Sequence, residues 1–145
     1  MREALLDAGP IVGYLHADDV HHAASVEALE RCTSAGQTLT TTWEAVSEAF
    51  TLLRTRARGG SKNRQAFVVL DWAWDGGVQI LESEAADHRR CRQLLESHLD
   101  LTLSYADALL LAVAERVAAS EVLTIDGAHF PAVRLDSATA VTVLG

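Results

Sequence analysis

The sequence predicts an α/β fold, with a mainly parallel sheet covered by helices on both faces. Three observations predict it. Short runs rich in Leu, Val, Ile and Thr alternate with helical stretches of mostly ten or more residues, and strands separated in that way pair in parallel. The 145 residues are the usual size for one domain, taken here as residues 1–145, and 49% apolar content suits a packed core rather than disorder. Two acids, Asp7 and Asp126, directly follow such runs, where open parallel sheets bind their ligands.

Glu3–Leu6 is the first strand, and Pro10 opens a short apolar helix, since proline suits a first helical turn. Asp18 or Asp19 can cap a second helix over Val20–Ser34, with Ala23, Val26 and Leu29 on one face and Gly36 as its stop. The β-branched run Thr38–Thr41 is a strand, and Thr42 caps a helix from Trp43 to about Arg56. Gly59-Gly60-Ser61 breaks the chain before a helix over Lys62–Trp74. Asp75-Gly76-Gly77 turns into a strand at Val78–Leu81, and Ser83 or Glu84 starts a helix to about His98. Ser104 caps a helix over Tyr105–Ala119, Glu121–Ile125 is a strand, and two more short strands are expected near Val133–Leu135 and Ala140–Leu144. There is no internal repeat and no low-complexity tract.

Composition narrows the function classes. No apolar run approaches the ~20 residues of a membrane span, and the N-terminus lacks a secretory layout, so a soluble cytoplasmic protein without membrane partners is expected. Cys32 and Cys91 form no CxxC pair and have no clustered histidines, which excludes a disulfide framework or a zinc site and leaves two core thiols. A net charge of −8 excludes a global positive field for nucleic acid. The cations are uneven, however: Arg54, Arg56, Arg58, Lys62 and Arg64 hold five of the twelve in one stretch, a candidate contact for a phosphate backbone or a solvated helix end.

Four acids are candidates for chemistry, and each also has a structural reading. Asp7 precedes Gly-Pro and can cap a helix; Asp126 precedes Gly127 in a common turn pair; Asp107 completes a capping-box pattern in SYAD; Glu48 can face solvent. Helical phase favours chemistry for two of them. From Asp107, steps of three, four and seven reach Leu110, Leu111 and Ala114, and Glu48 borders the stripe of Ala45 and Leu52, whereas Glu44 is the more solvent-facing acid of its helix. Buried carboxylates need a partner, and no cation neighbours Asp107 in sequence. Four carboxylates at one sheet edge would repel one another unless they shared a hard cation. An all-oxygen donor set selects Mg²⁺, or Mn²⁺, over Zn²⁺, and such a site polarises a phosphodiester and activates a water for in-line attack.

Here the chain resembles the PIN-domain ribonucleases, of the kind found as VapC-type toxins in bacterial and archaeal toxin–antitoxin pairs. The resemblance rests on LLDAGPIVGYLHADDVHH, TLTTTWEAVSEAFTLL, LSYADALLLAVAERV and VLTIDGAHF, in that order along nearly the whole chain. It implies a three-layer α/β/α sandwich and a Mg²⁺- or Mn²⁺-dependent endoribonuclease, with a cognate antitoxin and a homodimeric assembly. By position it implies Asp7 and Asp107 as principal metal ligands, Glu48 completing the acidic cluster directly or through water, and Asp126 holding metal or orienting the attacking water. Gly127-Ala128 replaces residues that are often basic in relatives, which shifts the expected phosphate contacts towards Arg54–Arg64. The alternative from another class is a PIN-fold interaction protein with weak or no catalysis.

His21-His22 point to different sides of a helix and are expected to be structural or at an interface, and His129 incidental. Asp100 is expected in a loop, with an auxiliary role second. Trp43, Trp72 and Trp74 are expected as core or interface aromatics; a base-stacking platform requires them exposed together. Two other metal-acid enzymes fit worse. A haloacid-dehalogenase-type phosphatase needs a second Asp where Gly9 stands, and a receiver domain needs a late lysine where the chain has only Lys62.

Overall fold

Alternate residues of a strand point to opposite faces, and here both faces are covered. Leu5 of β1 (Glu3–Leu6) packs into one apolar core while Ala4 and Leu6 pack into another; in β4 (Glu121–Thr124), Val122 and Leu123 divide the same way. A computed structural model of the chain describes residues 2–56 and 62–145, leaving aside the Lys62 side chain. After β1 come α1 (Ala8–Leu15), α2 (His22–Ser34), β2 (Thr38–Thr41), α3 (Trp43–Arg56), α4 (Lys62–Trp74), β3 (Gln79–Ile80), α5 (Ala85–Ser97) and α6 (Tyr105–Arg116). Then β4, a 3₁₀ turn at Phe130–Ala132 and β5 (Ala140–Val143) complete the order. The five strands are all parallel in the order β3-β2-β1-β4-β5. Helices α1 to α4 supply the core on one face, and α5 and α6 the core on the other. This is the three-layer α/β/α sandwich that was expected. No helix among the described residues is long and apolar enough to cross a membrane.

The strand order turns back at β1. From there the chain builds outward through β2 and β3, then returns to place β4 and β5 on the other side. That reversal opens a crevice at the carboxyl ends of β1 and β4, the place where ligands bind in open parallel sheets. Asp7 and Asp126 both lie at that edge, and the Asp7 N–H still donates to the Leu123 carbonyl at 3.0 Å.

Several elements depart from the expectation. Helix α2 starts at His22, because the Asp19 carboxylate accepts from the His21 N–H at 2.9 Å and holds a turn there instead of capping. Its buried stripe is Ser25, Ala28, Leu29 and Cys32, and Ala23 is exposed. Helix α6 stops at Arg116: Ala118 takes a left-handed φ of 50°, and the Ala118 and Ala119 N–H groups bond back to Glu115 and Ala114. No strand forms near Val133–Leu135, where Pro131 sets a 3₁₀ turn that buries Phe130. The expected strand at Val78–Leu81 narrows to Gln79–Ile80. Both cysteines are buried free thiols.

Helices α1 and α2 meet closely through Gly13. His22 donates through Nδ1 to the Gly13 carbonyl at 2.8 Å, which gives this histidine its structural role. A Cβ at Gly13 would lie 2.3 Å from the Ser25 Oγ and 3.1 Å from the His21 carbonyl oxygen. Gly13→Ala is therefore expected to lose about 1–3 kcal/mol of stability, the usual cost of overpacking. A urea midpoint equal to that of the parent would contradict this account of the helix pair.

Candidate metal centre

Three acids reach one place from three elements. Oxygens of Asp7, Glu48 and Asp107 all lie within 4.8 Å of one another, the only such group of potential metal-binding side chains found among the described residues. Asp7 stands between β1 and α1, Glu48 in the second turn of α3, and Asp107 in the first turn of α6. Helix α3 packs against both α1 and α6, so the arrangement is built on regular structure.

Each carboxylate is fixed in its own way. Asp7 is 8% exposed; its Oδ1 accepts from the Ala8 N–H and its Oδ2 from the Thr124 hydroxyl, both at 2.8 Å. Thr124 in turn accepts from the Asp126 N–H at 3.0 Å, so one hydroxyl ties the two strand ends together. Asp107 forms a capping box with Ser104: its Oδ2 accepts from the Ser104 N–H at 3.1 Å, and its own N–H donates to the Ser104 Oγ at 3.0 Å. Its cap role and its place in the cluster are therefore compatible, since capping occupies one oxygen. Glu48 differs. Its Oε2 is buried and has no hydrogen-bond partner.

Asp126 stands outside the trio, with its oxygens engaged locally. Oδ1 accepts from the Ala128 and His129 N–H groups at 2.9 Å, and Oδ2 lies 3.3 Å from the His129 Nδ1. It remains close enough for both Asp126 and His129 to act electrostatically on Asp107. Asp100 is exposed and is not part of the cluster.

The electrostatics follow from this crowding. Burial, then the charge of Asp107, pushes the Asp7 carboxyl up to about 7, against the opposing hydrogen bonds from Thr124 and Ala8. Burial and then Asp107 also raise Glu48. Asp107 is raised by burial, with its Ser104 hydrogen bonds opposing and Asp126 adding to the rise. Three acids that resist ionisation together, one with an orphaned buried oxygen, suit a hard divalent cation: it would satisfy that oxygen and remove the mutual repulsion.

The basic stretch is less convergent. Arg56 pairs with Asp19 at 3.6 Å, and the Arg54 guanidinium lies over the Phe50 ring at 5.7 Å. Six residues beyond Glu48, Arg54 is turned by about 240° around the axis of α3. Arg64 is exposed on α4, while Arg58 and the Lys62 side chain lie outside the described residues.

Sequence reasoning missed two features. Thr124 was part of a motif but had no role, and only the parallel register Leu6↔Leu123 brings it beside Asp7. Trp43 and Tyr105 line a groove of about 730 Å³ together with Glu44 and Glu48, and their positions at the starts of α3 and α6 were the available signal.

Comparisons with known proteins agree with this architecture. A family model described as PIN domain matches residues 4–134. Among solved structures, the chain is similar to VapC20 of Mycobacterium tuberculosis, described as a sarcin-ricin loop cleaving toxin (17% identity, 83% of this chain and 87% of that one, TM-score 0.70). It is also similar to VapBC2 of Rickettsia felis, solved with a promoter DNA fragment (15% identity, 98% of each chain, TM-score 0.71). FitAcB of Neisseria gonorrhoeae is a third (19% identity, 96% of each chain, TM-score 0.61). No curated protein matches the sequence.

Proposed function

Because the chain belongs to the PIN-domain family, we propose that it is a divalent-cation-dependent endoribonuclease, the toxin of a toxin–antitoxin pair acting in the cytoplasm. The observation that carries the reading is the meeting of Asp7, Glu48 and Asp107 around the orphaned Glu48 Oε2 at the sheet's crevice. Asp7, Asp107 and Glu48 would hold a Mg²⁺ or Mn²⁺ ion. That ion, when bound, supplies Lewis-acid polarisation of a phosphoryl oxygen and acidifies a water. The chain's own groups do the rest. Thr124 orients Asp7 through its hydroxyl; Ser104 holds Asp107 in one rotamer; Asp126, beside Asp107, completes the acidic site or orients the attacking water. Arg54, Arg56, Arg58, Lys62 and Arg64 contact the RNA backbone away from the scissile bond.

The partners follow from the same reading. Phe67, Val68, Leu70 and Trp74 of α4 are large apolar side chains left exposed, and helices α3 and α4 form the surface for the antitoxin and for a second copy of the chain. The structural neighbours include toxin–antitoxin complexes, which supports an antitoxin as partner. An interaction protein with weak or no catalysis is the second reading, favoured slightly by the acidic charge balance and by Gly127-Ala128 in place of basic residues after Asp126. Incubation of purified protein with single-stranded and structured RNA separates the two. Cleavage is expected in Mg²⁺ or Mn²⁺ and absent in EDTA; cleavage that persists in EDTA would exclude the metal mechanism, and none under any condition would favour the interaction protein.

A further inference from the structure

We propose that the groove between the starts of α3 and α6 is a nucleobase subsite that selects guanine next to the scissile phosphate. The proposal rests on the nuclease reading above for its substrate. Trp43 and Tyr105 line this groove and are 38% and 49% exposed, although large aromatic side chains gain most from burial. Both rings are already held from outside the groove. Trp43 packs against Trp74, with centroids 6.1 Å apart. Tyr105 stacks on His88 with centroids 5.8 Å apart, its hydroxyl hydrogen-bonded to His88 Nδ1, and His88 Nε2 in turn meets the Ser83 hydroxyl at 3.0 Å. Exposed rings with neighbours that restrain them lose little freedom when a flat ligand stacks on them.

The charge of the groove identifies the ligand. No lysine or arginine lines it, and Glu44 and Glu48 do, so a phosphate is repelled and a ligand edge made of donors is accepted. No hydrogen bond or ion pair among the described residues occupies the Glu44 carboxylate. Guanine presents N1–H and N2–H side by side, a match for two carboxylate oxygens, whereas adenine and cytosine offer a single amino group on that edge. Continuity with the metal centre supplies the location. Glu48 lines the groove and also belongs to the acid trio, so a base seated here belongs to a nucleotide beside the reacting phosphate. Trp43 and Tyr105 would stack that base, and Glu44 would read its edge. Glu44 then has a role that its place on the helix did not suggest.

Short labelled RNAs differing at a single base test this by fluorescence anisotropy on the whole protein in EDTA, where binding is read without turnover. The guanine-containing RNA is expected to bind at least about tenfold more tightly than its adenine, cytosine and uracil counterparts. Trp43→Ala should weaken that binding about ten- to a hundredfold, the cost of one lost base–aromatic stack, and Trp43→Phe should restore most of it. Glu44→Gln should remove the guanine preference and leave the stacking affinity. Circular dichroism identical to the parent accompanies each variant. Equal affinity for all four RNAs, or an intact guanine preference in Glu44→Gln, overturns the subsite. So does loss of cognate-antitoxin capture in Trp43→Ala with RNA binding unchanged, which would assign the groove to a protein. The two readings fail separately: guanine-selective binding by a protein that cuts no RNA sinks the nuclease, while base-blind cleavage sinks the subsite.

Discussion

Asp107→Asn is expected to lower RNA cleavage on the order of a thousandfold while leaving the fold intact. The asparagine keeps the shape of the side chain, and its carbonyl oxygen can still accept from the Ser104 N–H, so the cap of α6 survives. What disappears is the negative charge from the acid that raises both Asp7 and Glu48. A ligated cation supplies several kcal/mol of transition-state stabilisation, and three decades of rate correspond to ~4 kcal/mol. Initial rates at saturating Mn²⁺, with thermal melts as a check on folding, make the measurement. A rate within tenfold of the parent would remove Asp107 from the metal centre.

The second large effect is on stability, and its sign is opposite to that of most buried-site mutations. In the folded chain Asp7 holds its proton up to about pH 7, whereas an unfolded aspartate releases it near 3.8. Between those limits the folded state binds more protons than the unfolded state. Stability contributed by this group is therefore fully present below pH ~4 and is lost as pH rises through about 7. The full gap corresponds to ~4 kcal/mol as an upper limit. Asp7→Asn removes the penalty and retains acceptor and donor atoms for Ala8 and Thr124. At pH 8 without metal, the variant is expected to melt several degrees above the parent, and at pH 4 the difference should vanish. Comparing the two proteins isolates the group, because an acid-sensitive pair such as Glu115 with Arg90 is common to both.

Divalent metal extends the same argument. Protons and Mn²⁺ compete for these carboxylates, so Mn²⁺ should raise the melting temperature of the parent strongly at pH 8 and little at pH 5. In Asp7→Asn the ion should add little at either pH. An equal shift by Mn²⁺ in both proteins would place the bound ion elsewhere.

The elements were readable where local chemistry is strong. Helix α3 begins as expected because Thr42 caps it, its hydroxyl accepting from the Ala45 N–H at 3.2 Å, and its apolar stripe repeats at helical spacing. Strands β1, β2 and β4 read as near-continuous apolar or β-branched runs because both of their faces are covered. Boundaries failed where two local signals competed. Asp19 can cap a helix or close a turn, and the ion pair with Arg56, thirty-seven residues away in sequence, lies on the turn that won.

The candidate acids were visible as residues but not as a group. Pattern and phase single out Asp7, Glu48, Asp107 and Asp126, since an acid on an apolar stripe or at a strand end is a local fact. Which of them share one space is a matter of strand order. The reversal at β1 puts β4 beside it and brings Thr124 to Asp7 across 117 residues of chain, and the packing of α3 and α6 at the same edge carries Glu48 and Asp107 in. The same packing leaves Asp126 outside the trio, tied to His129. Local propensity acts over a few residues and can be read from the chain. The distance between carboxylates, their raised proton affinity and the aromatic walls beside them arise from burial and long-range pairing, and those exist only after the layers have closed.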